Sequence, residues 1–235
     1  MVAAPVGLLG LMVGLYFYGL SLVPETPRPA AAPLPPAVVA DAIWARFDGG
    51  AHPVEAMTPW AFFELRVCRA LASRADDREA AREECIRKHP GVEVAGAVAT
   101  DHVIGHGLTR SLRGEIGQVA TAAWLTRQWS RADLLRHLAA TGDFGHGWHG
   151  VEAAARGYFG KDAGALTATE AALLAAILGR TSAADPWCHP DRSLAERNHV
   201  LDRMALAGAL HGDAPAELGR QPLGVADGKC PAARP

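Results

Sequence analysis

The sequence predicts a mainly α-helical protein. Alanine is abundant and β-branched residues are sparse, a balance that favours helix because alanine has no side-chain freedom to lose there. Apolar residues recur at three- and four-residue intervals in several segments, and no period-two alternation marks a strand. Helix-start signatures stand at Ser130 with Asp133 and at Thr167 with Glu170, where a hydroxyl and an acid three residues apart each reach a free backbone N–H.

The elements follow in order. Residues 6–23 form a continuous uncharged, mostly apolar run, and the first charged side chain is Glu25. About 18–20 such residues cross a bilayer core as a helix, with Tyr16 and Tyr18 suited to an interface. A cleaved signal peptide is the alternative, with small residues Ala30, Ala31 and Ala32 downstream; the length of the run and its lack of a basic start favour an uncleaved anchor. Residues 25–37 are a Pro/Ala linker whose prolines cannot continue a helix. Helices are then expected over 38–47 and over 59–72, the latter with Trp60, Phe63, Leu65 and Leu71 as its apolar positions. Residues 76–89 form a charged, solvated helix that pairs with 59–72 as a hairpin, bringing Cys68 to Cys85. Residues 111–128 carry Leu112, Ile116, Val119, Ala123 and Leu125 on an apolar stripe. Helices over 130–140, 151–156, 166–178 and 193–210 complete the folded part, and the tail is Pro/Gly-rich. The expected organisation is an anchor at 1–24, a linker at 25–37, one helical domain at 38–212 and an irregular tail at 213–235.

Composition narrows the function. A formal net charge of −2 in 235 residues gives no electrostatic reason for a nucleic-acid partner. The four cysteines suit an oxidising compartment with pairs Cys68–Cys85 and Cys188–Cys230, or else four buried thiols. Ten histidines raise a metal reading through Asp101, His102 and His106, and through His146 with His149. No His-Glu-x-x-His helix accompanies them, so no metal site is assigned and no cofactor is expected. No Gly-x-Ser-x-Gly elbow marks a nucleophile.

The most informative segment is 144–161. Phe144-Gly-His-Gly-Trp-His-Gly150 reads as a glycine-punctuated turn, and Val151-Glu-Ala-Ala-Ala-Arg156 as a short helix closed by Tyr158-Phe-Gly-Lys161. Trp129-Ser-Arg-Ala-Asp-Leu-Leu135 precedes it. Leu166-Thr-x-x-Glu170-Ala-x-Leu173-Leu174, Pro186-Trp-Cys-His-Pro190 and Glu196-Arg197-x-x-Val200-Leu201 follow. This ordered set resembles the C-terminal half of the family 51 peptidoglycan glycosyltransferase, or transglycosylase, domain, over roughly residues 111–204.

The resemblance implies a lysozyme-like helical domain behind one N-terminal transmembrane helix. It also implies a place on the outer face of a bacterial inner membrane. The implied partners are a lipid-linked peptidoglycan precursor or a cell-wall synthase, and relatives often use a divalent cation. It further implies two catalytic carboxylates. One is a general base in a Glu-Asp-x-x-Phe motif; the nearest string is Thr100-Asp-His-Val-Ile104, with Thr100 at the Glu position, but that register leaves far too few residues before the next motif, so the base is not found and no catalytic role passes to Asp101. The other falls on Gln118, which keeps the size of Glu and its hydrogen bonding but not its charge. A Tyr and an Asn of the following helix fall on Leu138 and Ala140.

The family chemistry removes a proton from an acceptor hydroxyl, and losing a positioned base costs about 10²–10⁴ in rate. The expectation is therefore a catalytically impaired relative, with an active polymerase using relocated carboxylates as the alternative and a His-based metal enzyme behind both. Candidate carboxylate-position residues are Glu115, Gln118 and Glu152. Candidate substrate-binding residues are Arg131, Trp148, His149, Arg156 and Arg197.

Overall fold

The computed structural model describes residues 3–47, 54–108, 111–211 and 214–230. The described residues are helical throughout, with one isolated β-bridge, as the alanine-rich composition and the helical periodicity predicted. The chain divides into two compact units: Met1–Pro29 with His52–Leu134, and Ala30–Ala51 with Leu135–Pro235.

The first unit holds α1 (Ala3–Ser21), α3 (Pro59–Ala72), α4 (Arg78–Arg87), α5 (Val92–Gly105) and α6 (Leu112–Gln128). Helix α6 lies against both α1 and α5. The approach of α1 is close because Gly19 has no side chain: a Cβ there would come within 2.8 Å of the Ile116 carbonyl oxygen. Caps start the helices at the predicted kinds of residue. The Thr58 hydroxyl accepts from the Ala61 N–H before Pro59, Asp77 accepts from Ala80, and Ser111 accepts from Gly114. The predicted hairpin is α3 with α4, closed by the disulfide Cys68–Cys85. Met57, Leu65, Ala72, Cys85, Val92 and Ala123 form the core of this unit.

Several sequence expectations are corrected here. Trp60 and Leu71 of α3 are exposed, and only Leu65 of the predicted set is in the core; the Phe63 side chain lies outside the described residues. Leu112 also points outward, whereas Leu125 is fully buried. Helix α5 was not expected. Its start has no side-chain cap and a left-handed Gly91, and every residue from Val92 to Thr100 is buried or half-buried, so no polar face sets off an apolar stripe in its first turns. Residues 3–21 are helical as expected. Among the described residues, however, no helix is long and apolar enough to cross a membrane.

The second unit contains α2 (Ala37–Phe47), α8 (Val151–Phe159), α9 (Ala168–Ile177), α10 (Pro190–Leu206) and α11 (Ala214–Gly219). Helix α7 (Arg131–Thr141) runs from one unit into the other along the chain, and Ser130 and Asp133 form the predicted reciprocal cap at its start. Helix α9 is the centre of the second unit. Every one of its residues from Thr169 to Ile177 is buried, and it packs on α2, α8 and α10. Its capping box is complete: the Thr167 hydroxyl accepts from the Glu170 N–H, and the Glu170 carboxylate accepts from the Thr167 N–H. The tail, expected to be irregular, contains α11 and is tied down by the disulfide Cys188–Cys230. Both cysteine pairs thus take the pairing that suits an oxidising compartment.

Candidate functional site

The glycine-punctuated turn folds into a closed loop. The Gly150 N–H donates to the Gly142 carbonyl at 2.9 Å, the Phe144 N–H to Trp148 at 3.0 Å, and the Trp148 N–H to Gly145 at 2.8 Å. Gly150 is left-handed (φ 83°), and a Cβ there would stand 2.7 Å from the Ala140 carbonyl oxygen. His146 is left-handed as well (φ 55°), which is uncommon for a residue with a side chain. Its Nε2 lies 2.8 Å from Asp185 Oδ2. The other Asp185 oxygen accepts from the Trp187 and Cys188 N–H groups.

Around this pair the aromatic rings of Trp148, Tyr158 and Trp187 meet edge to face or tilted, with centroids 4.8–5.8 Å apart. Tyr158 is buried and its hydroxyl donates to the Phe144 carbonyl at 2.8 Å. Burial, with smaller contributions from the Asp185 and Asp143 charges, pushes its proton loss well above the ordinary phenol range. The motif is therefore a rigid node joining the loop, α8 and the turn before α10.

The candidate residues separate on this frame. Trp148 belongs to the aromatic node, with its ring over Gly157, while His149 is exposed and pairs through its backbone with Asp143. Glu152 and Arg156 form a surface pair at 2.8 Å. Glu152 also accepts from the Ala163 N–H, and Arg156 reaches Asp162 at 2.9 Å. The hydrogen bond to Asp162, followed by the Glu152 and Asp162 charges, holds the Arg156 proton more firmly than usual. Arg131 is half-buried at the start of α7. Arg197 is fully buried, and its guanidinium donates to the carbonyls of Gly219, Gln221 and Pro222 and to Asn198. Its donors are thus spent inside the protein, and burial pulls its pKa down.

In the first unit, the structure brings together Thr100 and Gln118. The Gln118 amide donates to the Thr100 hydroxyl, and that hydroxyl donates to the Gly96 carbonyl at 2.7 Å. Both side chains are neutral and half-buried. Glu115 is exposed one turn earlier on α6, at an apolar cavity of about 450 Å³ whose walls include Met12, Tyr16, Phe17, Ile116 and Arg127. Arg127 lies over the Tyr16 ring at 5.4 Å and donates to the Met57 carbonyl at 2.8 Å. Of the histidines considered as ligands, His102 meets the Glu25 carbonyl and His106 meets the His102 carbonyl. Among the described residues no three His, Cys, Asp or Glu side chains are grouped to hold a metal ion.

Residues 88–205, half of the chain, match the family described as Transglycosylase. The chain belongs to the transglycosylase family. The matched span takes in Thr100, Gln118 and the whole aromatic node. The chain is 36% identical over 105 residues to penicillin-binding protein 1A of Mycobacterium tuberculosis, covering 45% of this chain and 13% of that one. It is 31% identical over 168 residues to penicillin-binding protein 1C of Escherichia coli, covering 63% and 22%. It is 39% identical over 92 residues to the biosynthetic peptidoglycan transglycosylase of Acinetobacter baumannii, covering 37% and 39%. This transglycosylase-family chain thus matches well under half the length of each of these relatives.

Sequence reasoning singled out neither Asp185 nor the partnership of Thr100 with Gln118. An Asp-Pro pair signals a turn, but nothing local places its carboxylate on a histidine 39 residues away.

Proposed function

We propose that this transglycosylase-family domain is a catalytically silent relative of peptidoglycan synthases. It works at the membrane surface in cell-wall synthesis, where it binds the lipid-linked precursor or a partner synthase. The observation that carries this reading is the Thr100–Gln118 hydrogen bond. The position where the resemblance expects the second carboxylate carries the neutral Gln118, whose amide donates to the Thr100 hydroxyl, and no Glu-Asp-x-x-Phe string supplies the first. Neither Gln118 nor Thr100 takes up a proton as a general base near neutral pH. Similarity to a biosynthetic peptidoglycan transglycosylase and to penicillin-binding protein 1A supports a cell-wall substrate or partner.

Membrane association is supported by α1, on which Leu11, Val13, Leu15, Phe17 and Tyr18 stand exposed. Large apolar side chains exposed in that number on one helix offer contacts to lipid or to another protein. Of the candidate contact residues, Trp148, His149, Arg156 and Arg131 keep some exposure and suit an exposed binding surface, whereas Arg197 does not.

A second reading, an active polymerase with a relocated base, is favoured only by Glu115, one turn from Gln118 on α6. One experiment separates them: incubate the full chain with lipid II and follow both binding and glycan-strand formation. Binding without strands is expected, unchanged by Glu115→Ala or Glu152→Ala. Strand formation abolished by either substitution would overturn the silent-domain reading.

A further inference from the structure

The C-terminal segment 219–230 is held to the second unit at three independent places. At its start, the carbonyls of Gly219, Gln221 and Pro222 accept from the Arg197 guanidinium, at 2.8–3.1 Å. Arg197 is fully buried, and no carboxylate is among these partners, so the segment's carbonyls carry much of the burden of solvating a buried cation. In the middle, the Ala226 N–H donates to the Tyr158 carbonyl at 2.7 Å, and the Ala226 carbonyl accepts from the Trp187 indole at 3.0 Å. Gly228 then lies against that indole so closely that a Cβ would fall 2.0 Å from the ring. At its end, Cys230 is bonded to Cys188, the residue after Trp187. Apart from these anchors the segment has no helix or strand of its own after Gly219, so little local structure holds it in place.

We propose that this segment is a redox-gated strap: the disulfide keeps it closed over Trp187 and Arg197, and reduction lets it open while the helices beneath stay folded. A dithiol reductant supplies both electrons. Its thiolate attacks one cysteine sulfur, the Cys188–Cys230 bond breaks, and its second thiol displaces the mixed disulfide. Cys188 and Cys230 leave as protonated thiols and the reductant as a cyclic disulfide. Opening removes the covalent limit on segment excursions, so local exchange of its amides rises without global unfolding. In an oxidising compartment the strap is closed.

The test compares the oxidised full chain with Cys188→Ser/Cys230→Ser, which leaves Cys68–Cys85 intact, and with the dithiothreitol-treated protein, by amide hydrogen exchange. In the double variant the peptide containing Ala226 is expected to exchange about tenfold faster or more, while α9 peptides are unchanged. The reduced wild type should behave likewise in 219–230. Unchanged exchange at Ala226 would show that the disulfide does not hold the strap. Faster exchange throughout α9 would show a folding staple rather than a gate, and either result overturns the proposal. Should the double variant fail to fold, Cys230→Ser alone, which leaves the residue beside Trp187 in place, takes the same test with the same outcomes.

Discussion

The two units spend their polar groups differently. In the second, charged and polar side chains brace the scaffold: Glu170 closes a capping box and meets Lys161 at 2.6 Å, Asp185 holds His146 and two backbone N–H groups, and Arg197 holds the tail. In the first, the neutral Gln118 stands where the family resemblance expects a carboxylate and bonds to the Thr100 hydroxyl, and a cavity in the same unit is walled mostly by apolar side chains. The difference teaches that the residues closing helices and turns are separate from the position where the resemblance expects a proton-handling group, so that on the proposed reading the fold persists without that chemistry. A base is replaced at little structural cost if its substitute finds a hydrogen-bond partner.

The comparison is broken or sharpened by graded substitutions. The largest effect is expected in the α9 core. Leu174→Ala should cost about 2–5 kcal/mol of unfolding free energy in urea, as a buried leucine leaves a cavity; a cost near zero would mean that α9 is not the centre of its unit. Next, Gly157→Ala puts a Cβ 2.4 Å from the Trp148 ring. It should cost about 1–3 kcal/mol and lower the melting temperature.

Thr167→Ala removes the α9 cap, and about 1 kcal/mol is expected from the same urea series. The cap also responds to pH. Burial raises the Glu170 carboxyl, but its hydrogen bonds from Lys161 and from the Thr167 N–H and hydroxyl outweigh burial and leave it below the ordinary 4.5. A carboxyl depressed on folding stabilises fully above its unfolded value. That contribution fades as pH falls below about 4.5 and through the lower folded value. Acid titration of unfolding should therefore be shallower in Glu170→Gln than in the wild type.

The smallest effect is expected in the first unit. Thr100→Val should destabilise by about 1 kcal/mol because it leaves the Gln118 amide without that acceptor. The double variant Thr100→Val/Gln118→Leu should recover most of the loss, since both partners go together. Urea unfolding of the two singles and the double completes a cycle, and an additive result would show that the pair is not coupled.

Much of this was legible in order along the chain. The caps at Ser130 and Thr167 declare themselves within four residues, because capping is a contact between near neighbours. The Cys68–Cys85 hairpin is short enough to read as a turn between two helices. The 144–161 motif, with the strings that flank it in order, resembled the family through its residues. Trp60, Leu71 and Leu112 misled, because an apolar residue has no local mark of which face will find a partner. Helix α5 escaped notice because its residues from Val92 to Thr100 are all buried or half-buried, which weakens the contrast between faces that periodicity detects.

The sequence by itself determined the helical class, most helix starts, the glycine turn, the family resemblance and the neutral Gln118 where that resemblance expects a carboxylate. These depend on composition and on contacts a few residues apart. Only the tertiary structure decided that Thr100 bonds to Gln118, that Asp185 holds His146, and that Arg197 turns inward to the tail rather than outward to a ligand. Each joins residues 18 to 39 positions apart. Such pairings are chosen by how whole helices pack and by the cost of leaving a buried polar group alone, not by any preference of the residues themselves.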